Sequence, residues 1–366
     1  MPDAASFDRR MAEEHALSDD PICWYDIPAE PIAVRGLGYF EKEQKLCRLP
    51  AALLPKLAKV RPALCELATH TAGAQLRFCT DSPEVFVRAE LSGSAYMGHM
   101  TACAQCGFDC YLRFPQENRW IFAGVTRFPI EQKELCCRLA ADLPDGNVEV
   151  QINLPLYIGV QRVSVGVRMG SSVFSPCKEE KAIAFYGTSI TQGGCATRSG
   201  MAYPAIVGRR LGVESYNFGF SGNGVGMPLL ADAICGVPRL SVLVVDIEPN
   251  AAPEGLLEKN LPLFLDAVRA IKPALPILVL AGSYMPRAGW EPAFAAQKRT
   301  WRNFQESEVL QRTRKGDVQI HFADAAALTK DVADEATVDG VHLTDLGFYA
   351  LAKALEPILK KMLTNR

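Results

Sequence analysis

No stretch of this chain approaches the ~18 consecutive apolar residues that a membrane-spanning helix needs, so that architecture is excluded. Net charge is nearly absent too: 39 Lys and Arg against 41 Asp and Glu leave −2 at pH 7. Without a long-range field of one sign, neither nucleic acid nor a membrane surface is an expected partner. Met1 through Asp20 is polar and charged and lacks the apolar core of a secretion signal. Histidine is scarce, five in 366 residues, so histidine-based chemistry has few places to come from.

Cysteine, by contrast, is plentiful at twelve. An even total permits disulfides in a secreted chain. Cys65, Cys79 and Cys235, however, stand in apolar stretches where a small buried hydrophobe would serve. The expectation is a reduced, cytoplasmic protein, secreted or periplasmic if a leader has been removed. Cys103-x-x-Cys106-x-x-x-Cys110, with His99 nearby, hints at zinc. A structural zinc site has tighter ligand pairs at both ends, and Cys110 falls within an expected strand, 108–114. The reading is buried thiols and no metal.

At ~100–200 residues per domain the length suggests two, and the texture changes near residue 175. Before it, Val85, Val87, Ala89 and Leu91 alternate with Phe86, Arg88 and Glu90. Segments 148–156 and 163–169 repeat the alternation. Such period-2 patterns mark half-buried antiparallel strands, and several at short spacing predict a β-sandwich. The first thirty or so residues are irregular and are expected to be partly disordered or to wrap the sandwich. After Lys181, the apolar runs Ala182–Tyr186, Ser241–Ile247, Pro276–Ala281 and Val318–Phe322 alternate with helical stretches. Those stretches are 203–211, 226–234, 256–271, about 297–312 and from 344 to about 362. Strands apolar throughout, each followed by a helix, predict a parallel sheet covered on both faces. The expected division is 1–176 as an all-β sandwich and 177–366 as an α/β domain.

In such sheets function collects in the loops beyond the strand C-terminal ends. The first loop reads Gly187-Thr188-Ser189-Ile190-Thr191-Gln192-Gly193. Ser189 there either caps the next helix or presents a hydroxyl to the crevice. The last loop reads Val338-Asp339-Gly340-Val341-His342-Leu343. A serine hydroxyl needs a base, usually His, oriented by a carboxylate, and Asp339 and His342 can supply both. Between them lie Asn217-Phe218-Gly219-Phe220-Ser221-Gly222-Asn223-Gly224 and Glu248-Pro249-Asn250. Each segment alone is ordinary turn chemistry; the four in this order are not.

From about Lys181 onward the chain resembles an SGNH (GDSL-like) hydrolase, a family named for its Ser, Gly, Asn and His. The wording Tyr-Gly-Thr-Ser-Ile-Thr-Gln-Gly, with Met201-Ala202-Tyr203-Pro204 following, resembles a bacterial branch with an N-terminal β-sandwich, similar to carbohydrate O-acetyl esterases. The resemblance implies a three-layer α/β/α, flavodoxin-like hydrolase domain behind a jelly-roll-like sandwich. It implies Ser189 as nucleophile, Asp339 and His342 completing the triad, and Ser189, Gly222 and Asn250 as the oxyanion hole. Thr188 stands where the family has Asp, and Glu248-Pro249-Asn250 replaces the more common Gly-x-Asn-Asp. The implied activity is hydrolysis of small acyl esters, acetyl on a carbohydrate foremost, with no metal or organic cofactor. The alternatives are a lysophospholipase or thioesterase with the same triad, or a catalytically inactive carbohydrate-binding protein. Tyr284 and Trp290, after the run Pro276–Ala281, are candidate sugar-stacking residues. Arg198 is expected to be solvated.

Overall fold

The computed structural model describes residues 20–117 and 119–364. The expectation for the first thirty residues therefore lies, up to residue 19, outside the described residues. The chain divides into two compact units. The first comprises residues 20–46, 69–178 and 198–200; the second comprises 47–68, 179–197 and 201–364.

The first unit is built from ten strands: β1 Ile22–Asp26, β2 Ala33–Arg35, β3 Gln75–Thr80, β4 Val85–Leu91, β5 Asp109–Arg113, β6 Ile121–Val125, β7 Glu134–Ala140, β8 Val148–Asn153, β9 Val160–Arg168 and β10 Val173–Phe174. They form a four-stranded sheet ordered β1-β9-β4-β7 and a six-stranded one ordered β10-β3-β8-β5-β6 with β2 on β3. Every pairing is antiparallel. The alternation at 85–91 has its physical meaning here. Val85, Val87, Ala89 and Leu91 of one sheet join Leu76, Phe78, Val150 and Ile152 of the other in a single buried core. Two inner faces interdigitating in this way define a sandwich. Strand β8 stops at Asn153, short of the expected 156, and Leu154 and Leu156 continue into the core as loop residues.

Cys106 and Cys110 are members of that core, and burial raises both thiols, Cys106 to about 12. None of the twelve cysteines is in a disulfide. Arg198 departs from expectation. Its guanidinium donates to Asp109 Oδ2 and the Tyr111 hydroxyl and lies 3.9 Å over the Phe122 ring. Asp109 is fully buried, and a buried carboxylate needs a cation.

The second unit holds five parallel strands: β11 Ala182–Gly187, β12 Glu214–Gly219, β13 Leu240–Asp246, β14 Ile277–Ala281 and β15 Ile320–Asp324. Their order, β12-β11-β13-β14-β15, is the flavodoxin-like one. The chain runs from β11 to one side and returns to the other, so the crevice opens beyond the C-terminal ends of β11 and β13. Helices Tyr203–Leu211, Leu257–Ile271, Pro292–Arg314 and Asp345–Thr364 accompany the sheet. The expected helix over 226–234 is shorter, a 3₁₀ turn Pro228–Leu230 leading into Ala231–Cys235. Pro228 removes the amide needed to continue a helix backwards. Residues 47–68 add two short helices, Leu54–Val60 and Ala63–Leu67. No helix among the described residues is long and apolar enough to cross a membrane.

Candidate functional site

Strand β11 ends at Gly187, and a one-turn helix, Ser189–Gln192, begins at once. Thr188 is its N-cap: the Thr188 side chain accepts from the Ile190 N–H at 3.2 Å. With the cap supplied by Thr188, the Ser189 hydroxyl has no capping duty. Its Oγ lies 2.8 Å from Nε2 of His342.

His342 is held by its own loop. Thr337 and Leu343 form a bridge, and the Val338 N–H donates to the His342 carbonyl at 2.8 Å. Asp339 folds back over the turn at Gly340, where φ is +86. Asp339 Oδ1 accepts from the Val341 and His342 N–H groups at 3.0 and 2.8 Å, and Oδ2 lies 2.7 Å from His342 Nδ1. Partial burial pushes the Asp339 carboxyl upward, but the bonds from the His342 ring and the two amides outweigh it, so Asp339 sits below its ordinary value. An ionised carboxylate only accepts, so the imidazole proton resides on Nδ1 and Nε2 offers its lone pair to Ser189.

Two donor-bearing loops lie at the same end of the sheet. After β12, Gly222 takes φ +66, a left-handed conformation that glycine adopts without strain. Gly224 passes so close to Gly187 that a Cβ would overlap the Gly187 carbonyl. After β13, Asn250 lies in the short helix Glu248–Ala251. Its Oδ1 accepts from the Gly224 N–H at 3.3 Å. That bond fixes which way the amide faces, and Nδ2 makes no hydrogen bond among the described residues. Neither does the Gly222 N–H. The site thus combines a hydroxyl on an imidazole, an imidazole on a carboxylate, and partnerless donors on adjacent loops. Chemically, such a set can generate a serine nucleophile and stabilise a developing oxyanion.

Several supporting residues have roles that sequence reasoning did not assign, Asn217 and Glu248 within the quoted loop segments and Asp246 and Arg48 outside them. Asn217 donates to the Thr191 carbonyl and accepts from Gly219, both at 2.8 Å, tying the β12 end to the Ser189 helix. Asp246, at the end of β13, is buried and accepts from Thr191 Oγ1 at 3.0 Å and the Tyr203 hydroxyl at 3.4 Å. Burial pushes its carboxyl up to about 7, assisted by the charge of Glu248 and opposed by the Thr191 bond. Glu248 is buried too, taking Lys298 Nζ, Gln305 Nε2 at 2.6 Å and the Gly282 N–H at 3.0 Å. It anchors the helix that carries Asn250. Arg48 is almost fully buried; its guanidinium donates to the Asn217 and Gly219 carbonyls and lies 4.5 Å from the Phe220 ring centroid. Tyr284 and Trp290 lie beyond β14 on the same sheet edge. Tyr284 is half-buried and Trp290 is 71% exposed, and no hydrogen bond among the described residues joins either to Ser189, Asp339 or His342.

Comparison with known proteins agrees with this architecture. Residues 180–360 match the model of the GDSL-like lipase/acylhydrolase family, and residues 22–173 match that of the N-terminus of SGNH-hydrolase-type esterases. No curated protein matches the chain. Among solved structures, a Bacteroides ovatus ATCC 8483 protein assigned as a GDSL-like lipase is 25% identical, with a TM-score of 0.84 over 94% of this chain and 99% of that one. The salicylyl-acyltransferase SsfX3 of a tetracycline biosynthetic pathway shares 18% identity and a TM-score of 0.75 over 94% and 98% of the two chains. A family two carbohydrate esterase from Clostridium thermocellum, solved with cellohexaose, shares 16% and a TM-score of 0.56 over 80% and 93%. The last two likenesses concern the fold alone.

Proposed function

This chain belongs to the GDSL-like (SGNH) esterases and acylhydrolases, and from that premise we propose that it is a serine esterase releasing small acyl groups, acetyl first among them, from a carbohydrate. One observation carries the mechanistic half of this reading: Ser189 Oγ, His342 and Asp339 joined at 2.8 and 2.7 Å, beside the Gly222 N–H and Asn250 Nδ2, which have no partner among the described residues.

In this scheme Ser189 Oγ attacks the ester carbonyl carbon while its proton passes to His342 Nε2. Asp339 keeps the imidazole in its tautomer and stabilises the imidazolium. The carbonyl oxygen becomes an oxyanion received by the Ser189 and Gly222 N–H groups and the Asn250 amide. Removing one such donor typically costs ~2.7–4 kcal/mol of barrier stabilisation. The C–O bond to the leaving alcohol then breaks, and the alcohol takes the proton from His342. Water, deprotonated by the same imidazole, attacks the acyl-serine and frees the acid and Ser189. No metal or organic cofactor takes part.

The sugar half rests on a different observation, the exposed Trp290 beyond β14. An indole face suits the apolar face of a sugar ring. Among the described residues, the stretches between the strand ends and the covering helices hold only short helical turns and no long amphipathic lid for a lipid tail. Each further CH₂ of an acyl chain gains ~0.8 kcal/mol only where an apolar groove buries it. The test is a p-nitrophenyl ester series from acetyl to octanoyl, with acetate release from an acetylated oligosaccharide. A maximum at acetyl or propionyl with acetate release is expected. A maximum at octanoyl would replace this reading with the lysophospholipase or thioesterase one, and no turnover with the inactive sugar binder.

A further inference from the structure

Residues 47–68 precede most of the sandwich in the chain yet belong to the second unit, and between their two short helices stands Arg61. Its guanidinium uses all three nitrogens. Nε donates to Asn223 Oδ1 at 2.6 Å, and Nη2 donates to the Gly222 carbonyl at 2.9 Å. Nη1 and Nη2 also hold the Glu254 carboxylate at 3.2 and 2.8 Å.

Asn223 passes the grip on. With its Oδ1 fixed by Arg61, its Nδ2 donates to the Ser221 carbonyl at 2.8 Å. The Ser221–Gly222 peptide is trans, so its C=O and N–H point in opposite directions. Holding the Ser221 carbonyl toward Asn223 therefore turns the Gly222 N–H away from it. The Asn223 N–H closes a turn on the Phe220 carbonyl at 2.8 Å, and glycine at its third position, φ +66, has no side chain of its own to hold the central peptide against flipping.

We propose that Arg61 and Asn223 are positioning residues that fix the Ser221–Gly222 peptide and so aim the Gly222 N–H. The proposal deepens the esterase reading and rests on it for its catalytic consequence, since that N–H is an oxyanion donor there. Neither side chain touches the substrate. The planar fork of arginine is required, because a lysine ammonium cannot present donors to Asn223, Gly222 and Glu254 in one plane.

The experiment compares Arg61→Lys, Asn223→Asp and Glu254→Gln with wild type. Asn223→Asp keeps the acceptor for Arg61, gains an ion pair with it, and replaces the donor to Ser221 by a carboxylate oxygen that repels that carbonyl. It should therefore keep its Tm while kcat toward p-nitrophenyl acetate falls roughly 10- to 100-fold and KM moves less than about twofold. Arg61→Lys should lose kcat similarly. Glu254→Gln should lower Tm slightly and leave kcat near wild type. Amide exchange across residues 219–226 reads the peptide directly, without turnover: faster in Arg61→Lys and Asn223→Asp, unchanged in Glu254→Gln. Unchanged exchange in both of the first two variants overturns the proposal whatever kcat does. Wild-type kcat in Asn223→Asp overturns it too. If wild type hydrolyses no ester, the esterase reading falls, and exchange alone decides whether Arg61 and Asn223 set the peptide.

Discussion

Ser189 Oγ and His342 Nε2 meet at 2.8 Å although 153 residues separate them in the chain. The contact joins the turn after β11 to the loop before the last helix. Because Thr188 caps the short helix, replacing Ser189 removes little that holds the fold. Ser189→Ala is expected to abolish ester hydrolysis while leaving Tm nearly unchanged. Activity above about a tenth of wild type would remove Ser189 from the nucleophile role.

Asp339 tests the orientation of the base. Asp339→Asn replaces an acceptor by an amide that can donate to Nδ1, which favours the wrong tautomer of His342. By the logic of hydroxyl–imidazole–carboxylate sites, kcat should fall by about 10⁴. A loss under about tenfold would mean that the carboxylate only supports the loop.

The pH profile carries the same chemistry. The hydrogen bonds to Asp339 hold it below its ordinary value, so it stays ionised as pH falls through the range where imidazole gains a proton. Only neutral imidazole accepts from Ser189, so kcat/KM should rise with pH along a single ascending limb. A profile flat from about pH 5 to 8 would count against His342.

Asp246 gives a stability prediction. Folded, it holds its proton up to about 7, whereas the unfolded chain releases it near 3.8. Between these values the folded state binds more protons, so this group's contribution is full below about 4 and is lost as pH rises towards 7. Asp246→Asn, a permanently neutral amide, should flatten that decline and gain on wild type above pH 7 in urea titrations. An identical slope in both proteins would show that Asp246 is ionised throughout.

Two glycines of one loop should respond differently to alanine. At Gly222 a Cβ would meet nothing within 4 Å, so the cost is left-handed backbone strain, about 1–2 kcal/mol. At Gly224 the Cβ would overlap the Gly187 carbonyl, a backbone atom that cannot swing aside. Gly224→Ala should therefore lower Tm well beyond Gly222→Ala. Equal losses would show that the loop shifts to accommodate either side chain.

What the sequence determined by itself is what short range encodes. Period-2 alternation wrote out β4 and most of β8 and β9, because a strand that turns one face to an apolar core alternates apolar with other residues, although in β8 the other face, Glu149, Gln151 and Asn153, is buried as well. Continuous apolar runs wrote out β11, β13 and β14, because a parallel strand covered on both faces has no wet side. Asp339 and His342 were legible as a pair because three residues of chain already place one side chain beside the other. The tertiary structure decided the rest. Local chemistry allowed Ser189 to be a cap or a nucleophile; the tertiary structure gives the cap to Thr188 and brings His342 to the Ser189 hydroxyl. Arg48 and Arg61 carry no local signature, because their acceptors at 217–223 lie more than 160 positions away in the chain. Asp246 reads as the end of a strand, and only its enclosure by Thr191, Tyr203 and the sheet makes it a carboxyl that holds its proton. A hydrogen bond or a desolvated charge depends on where the chain returns to, and neighbours in sequence cannot state that.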